Sequence, residues 1–261
     1  MYTMGIDVGS ASSKVVILTD GKDIKASQVI QAGTGSSGPA RALDEVLKKS
    51  DLVLGDMDFV VATGYGRFTC DSARKQVSEI SCHAKGIFYF IPTARTIIDI
   101  GGQDAKAIRI DEKGIVKQFF MNDKCAAGTG RFLEVMSKVL EVPLQEMGSY
   151  HDRAAETSSV SSTCTVFAES EVISQLSLGI PKENIIAGVH KSTANKACGL
   201  VSRAGVTEDI VMSGGVAQNP GVVKAISDEL GKPVVVAPYP QTIGALGAAL
   251  YAYEELIKTK E

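Results

Sequence analysis

The 261-residue sequence lacks the features of a membrane or nucleic-acid protein. No run of about 18 apolar residues is present to cross a bilayer, and the opening MYTMGIDVGS has neither the basic flank nor the apolar core of a secretion signal. A cytoplasmic location is expected. Basic runs and aromatic residues interleaved with Lys and Arg are absent as well, and 27 basic against 30 acidic residues leave a formal charge of only −3. Nucleic acid is therefore not the expected partner. The five cysteines, Cys70, Cys82, Cys125, Cys164 and Cys198, include no CxxC pair and stand at wide, irregular intervals. This spacing argues against a disulfide framework and against a local zinc knuckle. Any metal they bind must be gathered by the fold or by a second chain. The P-loop pattern GxxxxGK[ST] is missing too, and GTGSSG at 33–38 is no clean dinucleotide fingerprint.

What is present begins with an apolar content of 44%, enough for a substantial core. TMGIDVGS, SKVVILTDG and DIKASQVIQA read as three strands broken by Gly-rich and Asp-Gly turns. A helix is expected from about Pro39 to Lys49, with Ala42, Leu43, Val46 and Leu47 on one stripe, and DFVVATGYG then returns as a buried strand. From residue 96 the plan repeats in TIIDIGGQDAKAIRID and GIVKQFFMND. Gly5-Ile6-Asp7-Val8-Gly9 and Ile98-Asp99-Ile100-Gly101-Gly102 each set an aspartate in an apolar strand just before glycine, followed by a Lys and a second apolar strand. The pattern predicts a duplicated phosphate-binding hairpin, one per lobe. No low-complexity linker intervenes, so the expected lobes are closely joined around a cleft: 1–95 with 241–261, and 96–240. The closing ALGAALYAYEELIK reads as an amphipathic helix that packs back on the first lobe.

Three glycine turns, GIDVGS, DIGGQD and MSGGVAQN, recur at roughly even intervals. Residues without Cβ let main-chain N–H groups approach phosphate oxygens. Asp7 and Asp99 supply the hard oxygens that a hydrated Mg²⁺ between the hairpins would use. On these residues the chain resembles the superfamily of acetate and sugar kinases, Hsp70 and actin. The resemblance implies an α/β, actin-like ATPase fold of two duplicated ribonuclease H-like lobes, with adenine against the double glycine Gly214-Gly215. The expected nucleotide contacts are Gly9, Ser10, Ala11, Ser12, Ser13 and Lys14 in the first hairpin and Gly101, Gly102 and Gln103 in the second. Gly214, Gly215, Gln218 and Gln241 complete the set.

FFMNDKCAAGTGRFLEVMSKVL and SSVSSTCTVFAESEVISQL share a design in which a cysteine at a turn precedes an amphipathic helix. Phe132, Leu133, Val135, Met136, Val139 and Leu140 follow Cys125 at helical spacing, and Val166, Phe167, Val172, Ile173 and Leu176 follow Cys164. Thr129 and either Thr163 or Thr165 are the expected caps. A thiolate at a helix N-terminus gains about 0.3 to 1 kcal/mol from the macrodipole, which lowers the thiol pKa. Position alone leaves two readings open, poised ligands or buried inert thiols. Two thiolates are too few for a [4Fe–4S] cluster, whereas a twofold dimer presents four.

TGYGR, SCHAKG, IDIGGQDAK, MNDKCAAGTGRFLEVM, SSTCTVFAESEVISQLS, VMSGGVAQN and GALGAALYAY together resemble the activator, or component A, family of 2-hydroxyacyl-CoA dehydratases. Related ATPase subunits serve benzoyl-CoA reductases. The resemblance implies a homodimer bridged by one [4Fe–4S] cluster on Cys125 and Cys164, with ATP or ADP and Mg²⁺ as further cofactors. It also implies a ferredoxin or flavodoxin donor and a partner dehydratase that receives one electron, in anaerobic amino-acid fermentation. On that reading Asp7, Asp99 and Gln103 place Mg²⁺ and the attacking water, and Asp104 is a candidate base. Cys82 and His83, in ISCHAKGIFYF, are expected to pack rather than ligate. No partner is assigned to Cys70 or Cys198. His151 and His190 are expected as surface or helix histidines with no triad around them. Two rival functions share the fold: a small-molecule kinase, and an actin-like assembly or regulatory protein that uses ATP as a switch.

Overall fold

Two five-stranded mixed sheets organise the computed structural model, which describes residues 1–161 and 164–259. They belong to two units, one of Met1–Ala94, Ile110–Lys117 and Ala237–Glu261 and the other of Arg95–Arg109 and Gln118–Val236. The first unit opens with an antiparallel meander of β1 (Tyr2–Val8), β2 (Ser13–Thr19) and β3 (Asp23–Ile30). Every residue of β1 after Tyr2 is buried, the polar Thr3 and Asp7 included, as in a strand covered on both faces. Helix α1 (Gly38–Ser50) follows, with Pro39 in its first turn, where no intrahelical donor is lost. It ends at Asp51, which takes the left-handed conformation and returns its N–H to the carbonyls of Leu47 and Lys48. Ala42 and Val46 of α1 pack on Met4, Ile6, Val8 and Val15. Strand β4 (Phe59–Thr63) lies parallel to β1, with the short β5 (Lys75–Gln76) at the edge, and α2 (Glu79–Phe90) ends this part of the unit.

The second unit repeats the plan with β6 (Thr96–Ile100), β7 (Ala105–Ile110) and β8 (Val116–Asn122). Helices α3 (Gly130–Leu140), α4 (Met147–Asp152), α5 (Thr165–Ser177) and α6 (Lys182–Ala204) follow, then β9 (Ile210–Ser213), α7 (Pro220–Leu230) and β10 (Val234–Val236). Its strand order, β8-β7-β6-β9-β10, matches β3-β2-β1-β4-β5 strand for strand. Ile98, Ile100, Phe132, Met136, Ile186 and Val189 lie in its core.

The chain then returns to the first unit as α8 (Ile243–Lys258), which packs on β1, β2, β4 and α2. Its first half departs from the amphipathic expectation. Residues Ile243 to Leu250 are all buried, because the helix is covered by the sheet and by α2. Small residues permit that closeness: a Cβ on Gly5 would lie 1.9 Å from the Ala245 carbonyl, and one on Gly247 would lie 1.8 Å from the Cys82 carbonyl. Among the described residues no helix is long and apolar enough to cross a membrane.

Candidate functional site

In the β1–β2 register Asp7 stands directly opposite Lys14, and in the β6–β7 register Asp99 stands opposite Lys106. Each carboxylate is 3.2 Å from its ammonium. The repeat seen in sequence as aspartate before glycine is thus a repeated ion pair. It extends to the parallel neighbours, since Asp7 pairs with Thr63 and Asp99 with Ser213. Each of those residues is followed by a glycine at φ +86°, Gly64 and Gly214. A Cβ would lie 2.4 Å from Asp7 Oδ1 at Gly64 and 2.8 Å from Asp99 Oδ1 at Gly214, so both backbone angle and space require glycine. The double-glycine turn therefore has a counterpart in TGYG.

In the first unit the Gly9 N–H donates to the Ser12 carbonyl at 3.0 Å. Ser10, Ala11 and Ser12 form the partly buried turn, while the Ser13 hydroxyl donates to the Ala32 carbonyl at 2.8 Å. Asp7 Oδ1 and Thr63 Oγ1 are buried and have no hydrogen-bond partner among the described residues. Gln241 lies partly buried just before α8.

The second hairpin is fully engaged. The Lys106 ammonium, 1% exposed, bridges Asp99 at 3.2 Å and Asp104 at 2.9 Å, and the Ser213 hydroxyl donates to Asp99 Oδ1 at 3.1 Å. The carbonyls of Gly101 and Gly102 accept from the N–H groups of Gly130 and Arg131 at 2.9 and 2.8 Å, so the turn is joined to the first residues of α3. Gln103 is exposed at the hairpin tip, as are Gly215 and Gln218 beyond β9. Lys106, Ser213, Thr63 and Gly64 are the members that sequence reading missed. Their signal was the repeat itself.

Cys164 is the N-cap residue of α5, with extended backbone at φ −147° and ψ 137°. Cys125 lies in the loop before Thr129, the N-cap residue of α3, and its carbonyl accepts from Asn122 Nδ2 at 2.9 Å. Helices α3 and α5 pack against each other, so the two cysteines precede neighbouring helices. Both are partly exposed, whereas Cys82 and Cys198 are buried and burial pushes each thiol pKa up to about 12. Cys70 Sγ meets Ser72 Oγ at 3.3 Å.

Neither Thr129 nor Thr165 forms the expected hydroxyl cap. Thr129 donates instead to the Ala126 carbonyl, the Thr165 hydroxyl is buried without a partner among the described residues, and Thr163 lies outside them. Helix α5 also differs from its amphipathic reading. It buries Ala168 and Val172, but Val166, Phe167 and Ile173 are 65%, 64% and 50% exposed in this chain. Cys82 and His83 are buried on α2, as expected. His151 and His190, expected as surface or helix histidines, both lie on helices, but His190 is fully buried and the two rings stack with their Nδ1 atoms 3.1 Å apart.

The donors suit a magnesium nucleotide: carboxylate oxygens, one of them buried and unpaired, beside glycine turns that leave main-chain atoms accessible. The two partly exposed thiols are half the set a [4Fe–4S] cluster takes, which fits a site shared by two chains. The model of the BadF/BadG/BcrA/BcrD ATPase family matches residues 4–252. The activator of lactoyl-CoA dehydratase from Anaerotignum propionicum is 67% identical over 254 residues, 97% of this chain and 98% of that protein. The solved activator of the 2-hydroxyisocaproyl-CoA dehydratase from Clostridium difficile, with bound ADPNP, is 53% identical. It superposes with a TM-score of 0.97 over 100% of this chain and 97% of that one. At 13% identity, a ROK family glucokinase from Streptomyces griseus shares the fold with a TM-score of 0.59 over 97% of this chain and 100% of its own. The fold is that of the actin-like ATPases, and the chain belongs to the BadF/BadG/BcrA/BcrD ATPase family.

Proposed function

We propose that this protein is the ATP-dependent activator of a 2-hydroxyacyl-CoA dehydratase, delivering one electron from a [4Fe–4S] cluster held by Cys125 and Cys164 of two protomers. The observation that carries the reading is the direct bonding of the Gly101-Gly102 turn to the start of α3, the helix that follows Cys125. Nucleotide turn and thiol loop are then two ends of one hydrogen-bonded path. Identity of 67% to a named dehydratase activator supports the same partner class and makes lactoyl-CoA dehydratase the first partner to test.

In this mechanism Asp7, with its open oxygen, would hold a hydrated Mg²⁺, which would supply positive charge at the phosphates, and Lys14 would balance the carboxylate. Asp99 is braced by Lys106 and Ser213 and holds the second turn in place. Gln103 orients the attacking water, and Asp104, 2.9 Å from the Lys106 ammonium, accepts its proton. When bound, the cluster supplies a one-electron carrier. Movement of the Gly101-Gly102 turn on hydrolysis pulls the first residues of α3, and with them the Cys125 loop. The exposed Val166, Phe167 and Ile173 give α5 the apolar outer face that a subunit interface buries.

Anaerobic purification and iron analysis test this directly. About four irons and matching acid-labile sulfide per dimer are expected. Cys125→Ser and Cys164→Ser should each lose them, while Cys70→Ser and Cys198→Ser keep them. With a reduced ferredoxin or flavodoxin and ATP, the brown protein should activate the dehydratase. A full cluster in the Cys164→Ser dimer would overturn the ligand assignment, and ATP turnover by a colourless protein would return the kinase reading.

A further inference from the structure

Two imidazoles and an amide form a continuous chain in the second unit, linking α4, α6 and the start of α7. Asn219 is the N-cap residue of α7, and its Oδ1 accepts from the N–H groups of Gly221 and Val222 at 3.0 and 3.3 Å. With that oxygen committed, the amide nitrogen faces His190, Nδ2 to Nε2, at 3.1 Å. An amide NH₂ only donates, so His190 Nε2 must accept and carry no proton. His190 is fully buried, and burial, with His151 beside it, drives its pKa down to about 3. The ring is therefore neutral, with its single proton on Nδ1. That proton points at His151 Nδ1, 3.1 Å away, which must accept in turn. One protonation pattern alone satisfies the whole chain.

Asn219 also ends the turn Gly215–Gln218, donating its own N–H to the Val216 carbonyl at 3.0 Å. Gly221 lets the rings approach α7, since a Cβ there would lie 2.5 Å from His190 Nδ1 and 2.9 Å from His151 Cβ. We infer that His190 is a positioning residue for nucleotide binding: through Asn219 it holds the Gly214–Gln218 turn in shape, and His151 sets the tautomer in which it does so. The inference rests on the reading of that turn as a nucleotide contact.

His151 is the end of the chain that titrates. It faces Lys224 and Asp228 on α7, Asp152 on its own helix and His190 on α6. Burial first, then Lys224, holds its pKa below the usual histidine value. Neutral His151 accepts the His190 proton. Protonated His151 presents a second N–H to it, and the conflict is relieved only if Asn219 turns over and releases the α7 cap. Affinity is then full at neutral pH and is lost as pH falls through the His151 pKa.

Calorimetry of Mg-ADP binding to the full-length dimer, near pH 8 and about pH 5.5, tests this. Wild type should bind about fivefold more weakly at the lower pH, beyond the nucleotide's own titration. His151→Asn offers an acceptor that cannot be protonated, and should lose that extra pH response. At the higher pH His190→Asn should weaken binding by about tenfold, while His190→Gln, which places an acceptor where Nε2 stood, stays within about threefold. Asn219→Asp keeps the cap but removes the donor, reverses the tautomer chain and should bind at least as well at low pH as at high. Should His190→Asn fail to fold, His151→Asn and Asn219→Asp carry the test. Wild-type affinity in His190→Asn, or the same pH response in wild type and His151→Asn, would overturn the relay and leave the nucleotide reading standing. Failure of wild type to bind ADP at either pH overturns both.

Discussion

The two Asp–Lys hairpins start from one pattern and end in different states. Around Asp99 both carboxylate oxygens are engaged, one by Ser213 and the other by a fully buried Lys106 that also holds Asp104. Around Asp7 the equivalent closure fails: Thr63 is its strand neighbour as Ser213 is for Asp99, yet its hydroxyl does not bond the carboxylate, and Asp7 Oδ1 has no hydrogen-bond partner among the described residues. A buried polar atom without a partner costs about 1–3 kcal/mol, and in a native site it calls for something to satisfy it. Duplication thus supplied the geometry twice, and the division of labour follows from which copy stays unsatisfied. On the proposed function Asp7 is the carboxylate for the ligand, while Asp99 is the braced one.

The largest expected effect tests the braced copy. Lys106→Met leaves the buried Asp99 and the half-buried Asp104 without their cation and should cost about 3–5 kcal/mol in denaturant unfolding. Lys14→Met, in a more exposed pair, should cost less. Equal losses would break the comparison. Next comes chemistry. Asp7→Asn should lower Mg-ATP turnover by about a hundredfold while the unfolding midpoint holds or rises. Asp99→Asn should impair ATP hydrolysis and dehydratase activation together, with the visible spectrum of the cluster unchanged. Full activation without turnover in that variant would remove hydrolysis from the coupling.

A smaller effect on the ligand is expected at Gly64→Ala, whose methyl would meet the Val8 carbonyl as well as Asp7 Oδ1, so it should lower the unfolding midpoint and weaken Mg-ADP affinity by about tenfold. The smallest concerns thiol reactivity in the cluster-free chain. Cys82 and Cys198, pushed up to about 12, remain protonated at ordinary pH and should resist alkylation, whereas the partly exposed Cys125 and Cys164 react. Mass spectrometry of the labelled chain reads this, and rapid labelling of Cys82 in the folded protein would contradict its packing on α8.

The strands and both hairpins were legible because strands buried on two faces are mostly apolar, and because Asp7 and Asp99 interrupt them in the same setting. The features that escaped are those set by distant neighbours. His151 and His190 are 39 positions apart and meet only when α4 packs on α6. Nothing near either residue announces the other. Thr63 and Ser213 look like ordinary strand ends until parallel pairing sets them beside the aspartates. On α5 the spacing of Val166, Phe167 and Ile173 correctly indicated a helix, but periodicity does not tell a core from a face left open for another chain.

The return of α8 to the first sheet has a consequence for synthesis. Val16 and Leu18 of β2 are covered by Ala245, Leu246, Ala249 and Leu250, which leave the ribosome after the whole second unit. At roughly 5–20 residues per second, the 226 residues between Leu18 and Ala245 keep that apolar face waiting for about 10–45 seconds. The unit that begins the chain is therefore the last to be completed. Protease sensitivity of ribosome-arrested chains, compared just before and after α8 emerges, would register that interval. Early protection of β2 would show that something else shelters the face in the meantime, such as a chaperone bound to the half-built unit.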